Sequence, residues 1–294
     1  MSVVEALLSH VVDYAGLFPP ASLDMESAVR NYQRYLHGDY AWMLGNFVVP
    51  ASRLEEFAQA LDQARGGEQG PPWNLNVLCT LDELRSEMKV IDDFRPKNAF
   101  LAAFEARAIH ATAAKNILNL LIPSRMRYIE FAPEKAETVL PMLLRYGARA
   151  KIRAGGLTAD AIPPPKTIAR FLQACNRHRV PFKATAGLHH AIRGTRQLTY
   201  ELGSPAAPMH GFLNVLFAAA LVQLGAAEEA VVKTLLEDDP TEFRLDEEDE
   251  DKLGWHENRL TFEQAVRLRS DFAISFGSCS FMEPVEELKA MGWL

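Results

Sequence analysis

Apolar residues fall along this chain in short blocks of two alternating kinds. Some are near-continuous runs closed by turn or charged residues: Ala41 to Val49 (A-W-M-L-G-N-F-V-V) stops at Pro50, and Ala99 to Phe104 stops at Glu105. Such runs read as strands covered on both faces. Others are spaced for one face of a helix, as with Leu54, Phe57, Ala58 and Leu61 after Ser52, an expected N-cap. Strands are predicted near residues 11–17, 43–49, 75–79, 99–104, 127–131, 149–153, 181–185 and 272–276. Helices are predicted between them. One follows the N-cap candidates Ser22 and Asp24 to about His37, one runs from Pro133 to Tyr146, and a last from Pro284 to Met291. Strand and helix alternate with short connections, which implies parallel pairing and right-handed crossovers. With the strand at 272–276 as the eighth, the chain reads as an α/β fold, a (β/α)8 TIM barrel in one domain over 1–294.

The long departure from this alternation lies between the seventh and eighth strands. Residues 191–270 read as a helical and acidic insertion. Its segment Met209 to Leu224 is too apolar to be solvated on all sides. It is expected to pack over the barrel as a lid or to join subunits of a homo-oligomer, with His210 at its start reaching the barrel mouth. Glu237 to Asp251 holds ten carboxylates in fifteen residues and reads as a solvated loop.

The stretch from Ala150 to His190 carries the chemistry. It reads A-K-I-R-A-G-G, then apolar residues Ile168, Phe171, Leu172 and Cys175 at helical spacing, then V-P-F-K-A-T-A-G-L-H-H. A strand, a helix and a strand in about forty residues form a βαβ unit with a parallel pair. Lys151 and Lys183 should therefore stand side by side near the C-terminal ends of neighbouring strands, where ligands of parallel α/β folds bind. A lysine inside an apolar strand is disfavoured in its charged form, and a neighbouring ammonium disfavours it further. A neutral amine of that kind can attack a carbonyl and form a Schiff base. The bland reading is that each lysine pairs with a barrel carboxylate such as Glu105 or Glu130.

Residues around the lysines extend the picture. Arg153, two positions beyond Lys151, shares its face and either grips an anion or neutralises carboxylates. Gly155, Gly156, Gly187 and the G-S-C-S string with Ser278 and Ser280 end three strands, where free N–H groups and hydroxyls cradle anions. Their alternative is ordinary turn glycine and an N-cap serine. Asp13 either points into the mouth or forms a turn. His189, His190 and His210 with Glu105 or Glu130 offer a metal site as the alternative chemistry, without H-x-H or H-E-x-x-H spacing to support it. Cys279 is either an activated thiol or a small buried side chain.

Composition narrows the partners. The chain has 294 residues, 48% hydrophobic and 23% charged, with a formal net charge of -7 and no basic block, so nucleic acid is not expected. No run reaches the roughly 18 apolar residues of a membrane span. Three scattered cysteines without C-x-x-C fit a reducing compartment, and the N-terminus lacks a signal-peptide core, so a cytoplasmic location is expected.

The two-lysine arrangement resembles that of the deoxyribose-phosphate aldolases, class I aldolases built on a βα barrel. Their sixth strand ends in K-x-S-T-G, their seventh in K-A-S-G-G and their eighth in G-T-S-S. Here the strings are K-I-R-A-G at 151–155, K-A-T-A-G at 183–187 and G-S-C-S at 277–280. The segment V-D-Y-A-G-L-F-P also resembles their first strand. The resemblance implies that Lys151 is the Schiff-base lysine and Lys183 its partner. It also implies that Gly155, Gly187, Ser278 and Ser280 form a phosphate cradle and that Glu105 serves the proton relay. Arg153-Ala154 replaces that family's S-T, and the H-H pair and the insertion have no counterpart in it. The resulting expectation is a Schiff-base lyase or aldolase for a small anionic carbonyl compound, with no cofactor. The alternatives are a metal-dependent hydrolase or lyase, and a non-catalytic barrel that binds a protein partner through its insertion.

Overall fold

The structure is a computed structural model that describes residues 1–66, 70–96, 98–246 and 252–294. In chain order its elements are α1 (Val3–Leu8), β1 (Val12–Tyr14), α2 (Met25–Leu36), β2 (Leu44–Pro50), α3 (Leu54–Arg65), β3 (Trp73–Cys79), α4 (Leu84–Asp93), β4 (Ala99–Arg107), α5 (Ala111–Leu120), β5 (Met126–Glu130), α6 (Ala136–Tyr146), β6 (Arg149–Arg153), α7 (Pro165–Arg177) and β7 (Phe182–Thr185). Then come β8 (Gly194–Gln197), β9 (Ala206–Met209), α8 (Phe212–Gln223), α9 (Glu228–Leu236), β10 (Phe243–Leu245), β11 (Lys252–Trp255), β12 (Asn258–Thr261), α10 (Phe262–Asp271), β13 (Ala273–Ser278) and α11 (Met282–Ala290).

Eight parallel strands close a barrel in the order β1-β13-β7-β6-β5-β4-β3-β2. This is the (β/α)8 TIM barrel that the sequence predicts, and all eight expected strands are in it. The two faces of each strand differ in chemistry. Phe47 and Val49 of β2 point out to the helices, whereas Asn46 hydrogen-bonds inside the barrel. The same two-residue alternation turns Asp13, Asn76, Glu105, Lys151, Lys183 and Ser275 to the inside. The outer faces hold the fold together. Phe57 of α3 lies 5.1 Å from Phe47 and 6.0 Å from Trp73, ring centre to ring centre. Burying such a ring stabilises by roughly 1.5–3 kcal/mol, and truncating it costs about 3–5 kcal/mol.

Several local expectations change. The first strand shrinks to Val12–Tyr14, because the chain turns at once through Ala15–Phe18. Asp24 caps α2 as expected, but α3 starts after a short 3-10 turn, so Ser52 caps nothing. The hairpin β8–β9 and the antiparallel sheet β10-β11-β12 were not predicted. Residues 247–251 of the acidic stretch lie outside the described residues.

The apolar helix also needs correction. Residues Phe212–Val222 of α8 are all buried by the chain itself. Phe212 stacks on Phe276 of β13 at 4.7 Å, and Phe217 meets Phe243 edge-on at 5.4 Å. Asn214, the polar break in the run, accepts from the Arg193 N–H and donates to the carbonyls of Thr234 and Glu237. The helix thus packs on the barrel, as expected, but against the outer face of β13 rather than over the mouth, and within this chain it leaves no exposed face for a second subunit. No helix among the described residues is long and apolar enough to cross a membrane.

Candidate active site

Register brings the lysines together. Lys151 pairs with Lys183 across β6 and β7, Glu130 pairs with Lys151 across β5 and β6, and Arg107 pairs with Glu130 across β4 and β5. Matching positions on adjacent parallel strands share a face, so both amines project inside. Glu105 links them. Lys151 Nζ lies 2.8 Å from Glu105 Oε2, and Lys183 Nζ donates to Glu105 Oε1 at 2.6 Å. Lys151 also meets Glu130 at 3.3 Å, and Lys183 donates to Asp13 at 2.6 Å.

Beneath the lysines the network is complete. Asp13 accepts from the Asn46 N–H, the Asn76 amide, Lys183 and the Ser275 hydroxyl. Residue 45 is glycine for a reason of space, since a Cβ there would lie 2.6 Å from Asp13 Oδ1. Burial alone would raise Glu105, but the two ammonium groups reverse this and pull it down to about 2. Burial likewise disfavours the Lys183 cation, yet Asp13 and Glu105 outweigh burial and hold its pKa above the ordinary lysine value. The expected mutual depression of the lysines is thus corrected for Lys183. Carboxylates stand between the two cations, and opposite charge at hydrogen-bond distance dominates.

Above the lysines lies a cavity of about 740 Å³. Lys151, Lys183, Glu105, Glu130, Arg153, Gly156, Gly187 and His189 all line it. Gly155 stands just behind, where a Cβ would come within 2.9 Å of Gly187 Cα; only two glycines let these loops touch. Among the described residues, the amides of Gly155, Gly156 and Gly187 donate to no protein acceptor. Arg153 is exposed and unpaired by any described residue, and Arg107 in the same lining is likewise free. Arg107 escaped the sequence reading, although it sits two residues beyond Glu105 as Arg153 sits two beyond Lys151. Asn76 was also missed; a polar residue within L-N-V of an apolar strand was its signal.

Other candidates are placed elsewhere. His190 Nδ1 lies 2.6 Å from Glu287 Oε1, outside the cavity. His210 Nε2 lies 2.8 Å from the Pro163 carbonyl and does not reach the mouth. Ser278 is buried with its hydroxyl 3.0 Å from His189 Nδ1, and the Ser280 hydroxyl caps the start of α11 by accepting from the Glu283 N–H. Neither serine lines the cavity. The histidines are dispersed because each is held by its own partner, and among the described residues no three His, Cys, Asp or Glu side chains could hold a metal ion. Burial, then the charge of His190, lowers His189 to about 4. Burial pushes the Cys279 thiol up to about 11, which is the inert rather than the activated condition.

No family model matches the chain, and neither does any curated protein. Among solved structures it is similar to the unique tetrameric structure of deoxyribose phosphate aldolase from Aeropyrum pernix, at 10% identity over 99% of this chain and 98% of that one, with a TM-score of 0.46.

Proposed function

We propose that the chain is a Schiff-base lyase of the aldolase type, acting on a small anionic carbonyl compound, with Lys151 as nucleophile. The observation that carries this reading is the buried carboxylate of Glu105, which holds Lys151 on one oxygen at 2.8 Å and Lys183 on the other at 2.6 Å, at the floor of a cavity. Lys183 is enclosed and fixed as a cation, so it tunes rather than attacks. Lys151 holds the looser contact, at 3.3 Å from Glu130, and lies beneath the cavity.

In the proposed sequence Lys151 passes a proton to Glu105 or Glu130. Loss of that charge removes one of the two cations that keep Glu105 acidic, so Glu105 becomes a better base as the proton leaves. The amine adds to the carbonyl carbon, and the carbonyl oxygen takes one proton from the amine nitrogen and a second from the protonated carboxyl group and departs as water. The iminium then restores positive charge between Glu105 and Glu130, and it accepts the electron pair of the breaking C–C bond. One of the carboxylates takes the hydroxyl proton of the fragment that leaves as a carbonyl compound, and the enamine left on Lys151 takes a proton at carbon and is hydrolysed to the second product and the free amine. Arg153, Arg107 and the free amides of Gly156 and Gly187 hold the anionic group.

Borohydride reduction in the presence of pyruvate or a phosphorylated aldehyde tests this reading. The expected result is an adduct on Lys151 in peptide mass spectra, absent in Lys151→Ala. An adduct on another lysine, or none with either compound, overturns it.

A further inference from the structure

The cavity around Lys151 has two unlike walls. Arg107, Arg153, Gly156 and Gly187 come from β4, β6 and the loops after β6 and β7. The wall from β1, β2 and β3 is apolar, with Phe18, Pro19, Pro20, Leu78 and Leu81 in its lining. Among the described residues its one charged side chain is Asp82, exposed at the rim. In the closed strand order β2 stands across the barrel from β6. A carbonyl held at Lys151 with its anion on Arg153 therefore turns its other substituent towards β1–β3. Two more apolar side chains of the lining, Ile109 (64% exposed) and Leu157 (46% exposed), follow β4 and β6 and stand at the rim on the side of the arginines. Exposed apolar side chains on a cavity rim gain from being covered.

Size points the same way. About 740 Å³ lies within the roughly 300–1,000 Å³ range of pockets that enclose drug-sized ligands. A three-carbon keto acid leaves most of that space to water against an apolar wall.

We infer that the substrate is amphiphilic: a carbonyl compound with an anionic group on one side and an apolar substituent of about aromatic-ring size on the other, seated against the loops after β1 and β3. This rests on the Schiff-base reading of Lys151. The substituent gains by leaving water, and it orients the carbonyl over Lys151 because only one of the two walls accepts charge.

The experiment is borohydride trapping with two 2-oxo acids, pyruvate and 2-oxo-4-phenylbutanoate. Half-labelling of Lys151 is expected at a concentration at least roughly tenfold lower for the phenyl compound, the effect of burying part of one ring. In Leu81→Asp, in the loop after β3, the ratio between the two compounds should collapse towards one. Leu81 is only partly buried, so its replacement leaves the barrel's core in place. Equal half-labelling by both compounds overturns the inference and leaves the Schiff-base reading standing. If neither compound labels, that reading fails, and calorimetry with 4-phenylbutanoate and butanoate decides the inference by itself. A tenfold preference that Leu81→Asp removes supports the apolar seat, and equal binding of the two acids overturns it.

Discussion

Two levels of one barrel treat their polar groups in opposite ways. At the floor, Asp13 accepts four hydrogen bonds, and Lys183 and Glu105 are spent on one another and on their neighbours. At the mouth, Arg107, Arg153 and the amides of Gly155, Gly156 and Gly187 have no partner among the described residues. A buried group without a partner is costly, so the floor must be complete before the barrel is stable. A group at the mouth meets water, so it can wait for a ligand at little cost. Satisfied polar groups therefore mark what positions the strands, and unsatisfied ones mark what the site is built to receive.

The largest effect should come from breaking the floor. Lys183→Met leaves Asp13 and Glu105 buried without their shared ammonium, and should destabilise by roughly 3–5 kcal/mol in urea unfolding. Lys151→Met leaves Glu105 still paired with Lys183, and should cost about 1–2 kcal/mol. Equal and small losses for the two variants would erase the distinction between the levels.

Acid should separate the two levels next. His189 borders both, with its ring against Ser278 and its edge on the cavity. The folded protein keeps it neutral to about 4, against 6.5 in the unfolded chain. The unfolded state therefore binds the extra proton between those values. The stability due to His189 is complete above pH 6.5 and is lost as pH falls to 4, by an amount on the order of 3 kcal/mol. Glu105 adds a later loss between its ordinary 4.5 and about 2. Urea midpoints of His189→Gln should run flatter from pH 6.5 to 4 than those of the parent and then fall with it. An unchanged slope would mean that His189 does not carry the acid response.

Much of this was legible in the chain, and the reasons are specific. Lys151 and Lys183 were placed because strand alternation and a βαβ span fix which side chains meet. Arg107 carries the same two-residue signal from Glu105, but a charge at the end of a strand looks like a solvated one. The carboxylates between the lysines were read as separate pairings, because sequence does not say that Glu105 reaches both. Residues Met209 to Leu224 were read as lid or interface. A helix apolar on every side is covered by something, but periodicity cannot say whether the cover is the same chain. His190 and His210 looked like mouth residues from their neighbours in sequence, and Glu287 and the Pro163 carbonyl hold them elsewhere.

The smallest effect on the fold should be the most telling for the mouth. Arg153 is exposed and touches no carboxylate among the described residues, so Arg153→Gln should leave the free energy of urea unfolding within about 0.5 kcal/mol of the parent. Its guanidinium is free to meet an anion together with the Gly156 and Gly187 amides. Inorganic phosphate, titrated by calorimetry at low salt, should therefore bind roughly tenfold more weakly to the variant. Arg107→Gln should behave alike if the two guanidinium groups share one anion, and the double variant should then lose less than the sum of the single losses. Full additivity would place the arginines on separate ligands. Loss of stability with phosphate affinity intact would make Arg153 part of the scaffold, like Lys183, and the contrast between floor and mouth would fail at the residue on which it most depends.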